Sequence, residues 1–132
     1  MTKFVLHVSA ALALVSDGID VPARHELFAP SLLRSQLLSR LYEAVRSGDL
    51  SADDAQNRMA RFRRLPIRLL GDSVLQRTAW RIADRLDLDS TYDAEYLALT
   101  QLQGDALVTL DARLAAAAEG LVRIAGIDEL RG

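Results

Sequence analysis

The stretch Ala106-Leu107-Val108-Thr109-Leu110-Asp111-Ala112-Arg113-Leu114 decides the fold class, because an apolar run passes directly into a helix-forming segment. The run from Ala106 to Leu110 predicts a buried strand. Asp111 predicts the start of an alanine-rich helix that ends at Gly120. A strand that is apolar on both faces is typical of a parallel sheet covered by helices. The stretch therefore indicates an α/β fold with a carboxylate where a strand meets a helix.

The same alternation of apolar strands and helices continues through the rest of the chain. We predict further strands at residues 4–8, 27–29, 67–70 and 121–124, and helices at 9–15, 30–46, 51–63, 73–86 and 93–103. Ser9 and Ser73 are predicted to cap their helices, Pro30 to lie in the first turn of the second helix, and Gly104 to follow the fifth as its C′ residue. The fold class predicted is α/β: a three-layer α/β/α sandwich with a mostly parallel twisted sheet, in a single domain over residues 1–132.

Composition excludes several classes of site. The 132 residues contain no cysteine, which rules out disulfides, thiolate catalysis and thiolate zinc sites and agrees with a reducing, cytoplasmic location. The net charge of −2 gives no global attraction to nucleic acid. Residues 3–15 have the outline of a signal peptide, but His7 and Ser9 interrupt the apolar run, and no run in the sequence is long enough to span a membrane.

Two aspartates, Asp93 and Asp111, lie where a strand and a helix meet. In open α/β sheets, ligands bind at the carboxyl ends of the strands. Two carboxylates about 4 Å apart there would repel by roughly 4 kcal/mol at an effective dielectric constant near 20, and a cation would relieve this repulsion. The pair therefore predicts a metal site. Taken singly, each aspartate is better explained as a helix N-cap, and it is the pair within matching motifs that favours a site.

Three motifs follow one another along the chain: Phe4-Val5-Leu6 with Ser9, Tyr92-Asp93-Ala94 with Tyr96-Leu97-Ala98-Leu99, and Leu107-Val108-Thr109 with Asp111 and Arg113-Leu114. Their order and spacing resemble the PIN-domain family, in particular the VapC-type toxins of toxin–antitoxin pairs. The resemblance covers the chain from Lys3 to about Ile124. It implies a metal-dependent endoribonuclease in which four acidic residues hold one or two Mg²⁺ or Mn²⁺ ions. Asp93 and Asp111 would be the third and fourth acids, with the hydroxyls of Ser9 and Thr109 supporting the site.

Two positions depart from the four-acid pattern. His7 stands where the first acid is expected and Gln36 where the second is expected. We predict that both still belong to the catalytic site with Asp93 and Asp111, and that only the two aspartates bind the metal as anions. Mg²⁺ should then bind weakly, and an imidazole would shift preference toward Mn²⁺ or Zn²⁺. By themselves, His7 is also explained as a core histidine and Gln36 as an ordinary helix residue.

The resemblance also implies partners: a cognate antitoxin protein, an RNA substrate and a second copy of the chain in a homodimer, with no membrane. The helix pair at 31–63 would form the antitoxin groove, to which Leu32 and Met59 could contribute. Arg77, Arg81 and Arg85 lie on one helix face that is either simply solvated or in contact with RNA phosphates. Trp80 and Tyr96 are predicted to be packing residues.

Three functional hypotheses remain open at this point. The first is an active PIN-domain ribonuclease that uses the two aspartates with His7 and Gln36. The second is a catalytically inactive PIN-like binding or regulatory module that keeps the antitoxin groove and the dimer surface. The third is an unrelated α/β domain whose motifs match by accident. The missing acids favour the second hypothesis, whereas the retained Thr109 and Asp111 motif favours the first.

Overall fold

The structure, a computed structural model, describes residues 2–131 and places within them a parallel sheet of five strands in the order β3-β2-β1-β4-β5. The strands are β1 Thr2–Leu6, β2 His25–Pro30, β3 Ile67–Leu70, β4 Ala106–Val108 and β5 Ile124–Ala125. The helices are α1 Val8–Asp17, α2 Leu33–Arg46, α3 Ala52–Arg64, α4 Ser73–Leu86, α5 Tyr92–Gln103 and α6 Ala112–Ala117, and a 3₁₀ turn, Ile127–Leu130, follows β5. The predicted α/β class with a parallel sheet is confirmed.

The sheet order brings together residues that are far apart in the sequence. β1 lies at the centre, paired with β2 on one side and with β4 on the other. Leu6, the last residue of β1, is in register with Val108, the last residue of β4. Both strands are parallel, so the segments that follow them, beginning at His7 and Thr109, leave the sheet side by side.

Helices cover both faces of the sheet because successive side chains of each strand point to opposite sides. Val5 is fully buried in a large cluster that includes Leu37 of α2 and Leu97 of α5. Its neighbour Phe4 is buried in a smaller cluster with Leu14 of α1. Full burial of one such side chain contributes about 1.5–3 kcal/mol. The predicted three-layer arrangement is therefore confirmed.

Two helix caps lie earlier in the sequence than predicted, by two residues for α1 and by one for α4. His7, rather than Ser9, caps α1, and its imidazole accepts a hydrogen bond from the Ser9 backbone N–H. Asp72, rather than Ser73, caps α4, with its Oδ1 accepting from the Leu75 N–H at 2.8 Å. In both cases the capping side chain lies just outside the helix, from where it reaches the unpaired N–H groups of the first turn.

Pro30 and Gly104 have roles different from those predicted. Pro30 ends β2 in register with Leu70, and α2 begins only at Leu33. Pro30 lies at the end of the strand, beyond the residues of β2 that pair with β1, so the N–H that it lacks is not needed for that pairing. Gly104 has an extended backbone with φ −97°, not a left-handed one. A Cβ on Gly104 would lie 2.8 Å from Val5 Cγ2, so the absence of a side chain permits close packing of the chain after α5 against β1.

Several strand boundaries also differ from the prediction. β1 ends at Leu6 and β4 ends at Val108, two residues earlier than predicted in each case, because the chain turns there into the site segments. The last strand is Ile124–Ala125, not 121–124. The prediction that Trp80 is a packing residue is wrong, since 69% of it is exposed.

Among residues 2–131, no helix has both the length and the hydropathy that a membrane span requires.

Candidate active site

The candidate site lies at the carboxyl ends of β1 and β4. The His7 backbone N–H donates to the Val108 carbonyl at 3.0 Å, which extends the pairing of the two strands by one residue. His7 is thereby held beside Thr109, and both side chains are buried. The structure thus brings together two predicted site residues that are separated by 102 positions.

The His7 imidazole has hydrogen-bond partners at both ring nitrogens. Its Nε2 lies 3.1 Å from Asp93 Oδ1. Its Nδ1 lies 3.3 Å from the Ser9 backbone nitrogen, 2.8 Å from Ser9 Oγ and 3.2 Å from Thr109 Oγ1. His7 therefore connects four predicted site residues, itself included, into one network.

The hydroxyls of Ser9 and Thr109 also fix the backbone of the segment between β4 and α6. They lie 3.2 Å apart. Ser9 Oγ accepts from the Leu110 N–H at 2.9 Å, and Thr109 Oγ1 accepts from the Asp111 N–H at 3.0 Å. This arrangement sets the position of Asp111 and is compatible with the supporting role that the resemblance implies for both hydroxyls.

The two aspartates are held in different ways. Asp111 caps α6, and its Oδ1 accepts from the N–H groups of Arg113 and Leu114 at 2.9 and 3.1 Å. Asp93 is not an N-cap: α5 begins at Tyr92, and Asp93 Oδ1 contacts His7 instead. Within residues 2–131, the Oδ2 atoms of Asp93 and Asp111 have no hydrogen-bonding partner. Both residues line one cavity of about 400 Å³.

Gln36 reaches the site only through Tyr96. The buried Tyr96 hydroxyl donates to Gln36 Oε1 at 2.7 Å, and its ring packs edge-on against His7 with centroids 4.9 Å apart. Burial, reinforced by the nearby charges of Asp93 and Glu95, raises the pKa of Tyr96 far above its usual value, so the hydroxyl stays a donor. Burial also raises the pKa of Glu95.

Tyr96 is the site residue that the sequence analysis missed. It was assigned to packing because nothing in its sequence neighbourhood distinguishes an apolar contact from a hydrogen bond. Its position three residues after Asp93 on α5 places the two side chains on the same helix face. That spacing was the one signal that could have identified it.

The donor set fits a single hard cation held weakly. No group of three or more acidic or histidine side chains within residues 2–131 is arranged to hold a metal ion. Mg²⁺, however, is commonly bound by only one or two carboxylates together with waters and substrate phosphates. Asp93 and Asp111 line one cavity, and each keeps an oxygen without a hydrogen-bonding partner within residues 2–131, so the pair meets that requirement. Asp87, Asp89 and Arg113 also line the cavity.

Comparison with known proteins finds relatives that are all named VapC ribonucleases. No family profile matches the chain. The chain is 35% identical over 113 residues to a VapC ribonuclease of Mycobacterium bovis and to Ribonuclease VapC9 of Mycobacterium tuberculosis, covering 83% of this chain and 87% of each relative. Its fold is similar to that of PAE2754 from Pyrobaculum aerophilum, with a TM-score of 0.78 and 23% identity over 98% of this chain and 93% of the other.

Two further solved structures share the fold at low sequence identity. VapBC2 from Rickettsia felis, bound to a DNA fragment from its promoter, matches with a TM-score of 0.68 and 9% identity, over 94% of this chain and 98% of the other. VapC20 of Mycobacterium tuberculosis, a sarcin–ricin loop cleaving toxin, matches with a TM-score of 0.61 and 18% identity, over 90% and 96%.

Proposed function

The chain belongs to the VapC family of PIN-domain ribonucleases, and we propose that it cleaves RNA phosphodiester bonds in a metal-dependent reaction at the cavity beside Asp93 and Asp111. The observation that carries this proposal is a pair of carboxylates that line one cavity, each with an oxygen that has no hydrogen-bonding partner among residues 2–131. The relatives are named as ribonucleases, which favours the enzyme over the inactive binding module. A match of 35% identity that covers 83% of the chain removes the hypothesis of an accidental motif match.

The metal proposed is Mg²⁺ or Mn²⁺, held by Asp93 and Asp111 with water and substrate phosphate oxygens as its other ligands. When bound, such an ion would activate a water for attack on the phosphodiester and stabilise the charge on the leaving oxygen. Two carboxylates supply less negative charge than four, so weak binding is expected. The substrate phosphate would complete the ligand set.

Residues of the chain itself orient the two aspartates. The contact between His7 and Asp93 Oδ1 leaves Oδ2 as the available oxygen. Thr109 holds the Asp111 backbone, and the α6 N–H groups occupy Asp111 Oδ1. The exposed Arg113 lines the same cavity and offers the positive charge that an RNA phosphate needs there. Arg77, Arg81 and Arg85 are exposed, and their contact with RNA remains an untested prediction.

We propose that an antitoxin segment binds the groove between α2 and α3. An apolar cavity of about 250 Å³ lies there, lined by Leu38, Leu41, Tyr42, Val45, Ala52, Ala55, Gln56 and Met59. Leu38 and Tyr42 are 56% and 62% exposed, although apolar and aromatic side chains of this size are usually buried. An amphipathic helix would cover such a groove. The predicted contribution of Met59 agrees with this geometry, whereas Leu32 packs against the core instead.

A homodimer and a cytoplasmic location complete the proposal. Exposed Val74 of α4 and Leu102 of α5 line a common surface cavity of about 550 Å³, which a second copy of the chain could cover. The lack of cysteine suits the cytoplasm. Sedimentation velocity of the wild type and the Leu102→Asp variant tests the dimer. A variant that sediments like the wild type would show that this surface is not the dimer interface.

The decisive experiment is RNA cleavage by the purified chain. Structured RNA stem-loops, a sarcin–ricin loop hairpin among them, are incubated with Mg²⁺ or Mn²⁺ and with no metal. We expect metal-dependent cleavage that falls by at least about 100-fold in Asp93→Asn and in Asp111→Asn, because loss of a ligand should cost no less than loss of a partner that only orients one. Asp17→Asn, which neutralises an exposed carboxylate at the far end of α1, is the matched control. Cleavage that survives Asp93→Asn would refute the site.

A further inference from the structure

The hydrogen bonds around His7 define which ring nitrogen carries the proton. A backbone N–H can only donate, and the Ser9 N–H points at His7 Nδ1 from 3.3 Å. Nδ1 must therefore present its lone pair to Ser9. In the neutral ring the proton then lies on Nε2, which donates it to Asp93 Oδ1 at 3.1 Å.

The hydroxyl network agrees with this assignment. Ser9 Oγ already accepts from the Leu110 N–H, so its own proton is free to be donated to His7 Nδ1 at 2.8 Å. Thr109 Oγ1 accepts from the Asp111 N–H in the same way. The hydrogen bonds are therefore all oriented in the same direction: the Leu110 N–H donates to Ser9, Ser9 donates to His7, and His7 donates to Asp93. Hydrogen bonds aligned in this way reinforce one another.

This ring state is the reverse of the one that a metal ligand needs. A histidine that binds a metal directs a lone pair at the ion and donates its other N–H to a protein acceptor. Here the lone pair points inward at Ser9 and the N–H points toward Asp93, a proposed ligand. Moving the proton to Nδ1, which would free the Nε2 lone pair for a metal, would set the ring N–H against the Ser9 N–H. The side chain is only 3% exposed, and Tyr96 packs against it.

We propose that His7 is a positioning residue, not a metal ligand: it holds Asp93 by donating from Nε2, so that the site binds one divalent ion and not two. This inference deepens the proposed ribonuclease function and rests on it for the role of Asp93. Substituting an imidazole for a carboxylate replaces a ligand by a hydrogen-bond donor. The remaining ligands, Asp93 Oδ2 and Asp111 Oδ2, serve a single ion.

Nitrogen-15 NMR of the histidine rings tests the assignment directly. Spectra are recorded at about pH 8, above the ordinary pKa of histidine, without metal, with Mg²⁺ and with Zn²⁺. The chain contains one other histidine, His25, and the His25→Gln variant assigns the signals. We expect a His7 ring protonated at Nε2 in all three samples. A ring protonated at Nδ1, or one that becomes so when metal is added, would overturn the proposal.

Mn²⁺ binding, followed by electron paramagnetic resonance and calorimetry, tests the ion count. We expect one site in the wild type and in His7→Gln, whose amide can still donate to Asp93. His7→Leu should bind about tenfold more weakly, as for loss of a partner that orients a ligand. His7→Asp adds a carboxylate and should bind more tightly than the wild type. Two sites or none in the wild type, or His7→Gln as weak as His7→Leu, would contradict the inference.

Neither measurement uses RNA, so the two proposals fail separately. An Nε2-protonated ring and one bound ion, in a chain that cuts no RNA, would overturn the proposed function and support the role of His7. Metal-dependent cleavage by a chain whose His7 is protonated at Nδ1 would do the reverse. The NMR experiment requires only the wild type and His25→Gln, so a poorly folded His7→Leu variant does not prevent the test.

Discussion

The polar network at the ends of β1 and β4 and the apolar groove between α2 and α3 are built in opposite ways. The network joins His7 to Asp93 and Thr109 across 86 and 102 positions of sequence, and its histidine and threonine are buried. The groove uses side chains between Leu38 and Met59, two of which are more than half exposed.

The difference has consequences for stability. In the network, each partner satisfies a polar group of another, so that removing one leaves buried donors or acceptors unpaired, at about 1–3 kcal/mol each. In the groove, a substitution at an exposed position changes stability by no more than about 0.5 kcal/mol. The network therefore fixes the site geometry, while the groove is free to serve a partner. Four predictions test this contrast.

The largest effect is expected from a charge placed in the groove. Leu38→Asp should weaken binding of the cognate antitoxin about 100-fold, as for a residue at the centre of an interface, because a carboxylate would be buried against apolar side chains. The free energy of unfolding of the isolated chain should change by less than about 0.5 kcal/mol. Calorimetric titration and urea unfolding measure the two quantities.

Leu110→Asp is the matched control for the groove, since Leu110 is 55% exposed and lies outside the α2–α3 cavity. It should leave antitoxin binding nearly unchanged. Equal weakening by both variants would mean that added negative charge, and not the groove, determines binding.

The next effect concerns a buried hydroxyl of the network. Thr109→Val keeps the side-chain shape but leaves the Asp111 N–H without its acceptor, and it removes the contacts to Ser9 and His7. We expect a loss of about 2 kcal/mol in the free energy of unfolding, measured by urea titration.

Thr100→Val is the matched control, because Thr100 is equally buried but donates only to the Tyr96 carbonyl in its own helix. Its loss should cost less than about 1 kcal/mol, since that carbonyl remains in the α5 ladder. If the two variants lose the same stability, the network is no more cooperative than a local hydrogen bond.

The fold was largely predictable because its signals are local. The apolar run Ile67–Leu70 between Pro66 and Gly71 was predicted with the observed boundaries, and α3 begins and ends within one residue of its predicted range. The errors fall where tertiary contacts override local preference. His7 caps α1 in place of Ser9 because contacts with Thr109 and Asp93 hold the imidazole in position. Gly104 is extended because it packs against Val5.

The location of the candidate site residues was predictable, but the hydrogen bonds between them were not. The order of motifs placed His7, Asp93 and Asp111 at one end of the sheet, as the structure does. No sequence pattern indicates that Gln36 is reached through Tyr96, because that contact depends on the packing of α2 against α5. The proton position on His7 likewise depends on contacts with Ser9 and Thr109 that only the folded chain makes.

A third prediction concerns Tyr96, which links the network to α2. Tyr96→Phe should lose about 1 kcal/mol of stability at pH 7, the usual contribution of one hydrogen bond. The pKa of the Tyr96 hydroxyl is raised in the folded chain. The stability that the neutral hydroxyl contributes is therefore complete below its pKa in the unfolded chain, about 10, and is lost as the pH rises above that value. Ionisation of Tyr96 in the unfolded chain lowers the free energy of unfolding of the wild type by about 1.4 kcal/mol at pH 11.

The stability difference between the wild type and Tyr96→Phe should therefore vanish or reverse at about pH 11. Urea unfolding of both proteins across this range measures it, and the exposed tyrosines Tyr42 and Tyr92 cancel in the comparison. A difference that stays constant would mean that Tyr96 is not buried as a neutral donor.

The fourth prediction separates the two explanations of Asp111, helix cap and site carboxylate. Asp111→Ala removes the acceptor for the Arg113 and Leu114 N–H groups and should cost about 1 kcal/mol in urea unfolding, whereas Asp111→Asn, an equally good cap, should cost almost nothing. Both variants lose the carboxylate charge, so both should lose RNA cleavage to the same extent. Activity that follows stability, retained in Asp111→Asn and lost in Asp111→Ala, would make Asp111 a cap alone and leave Asp93 as a solitary carboxylate.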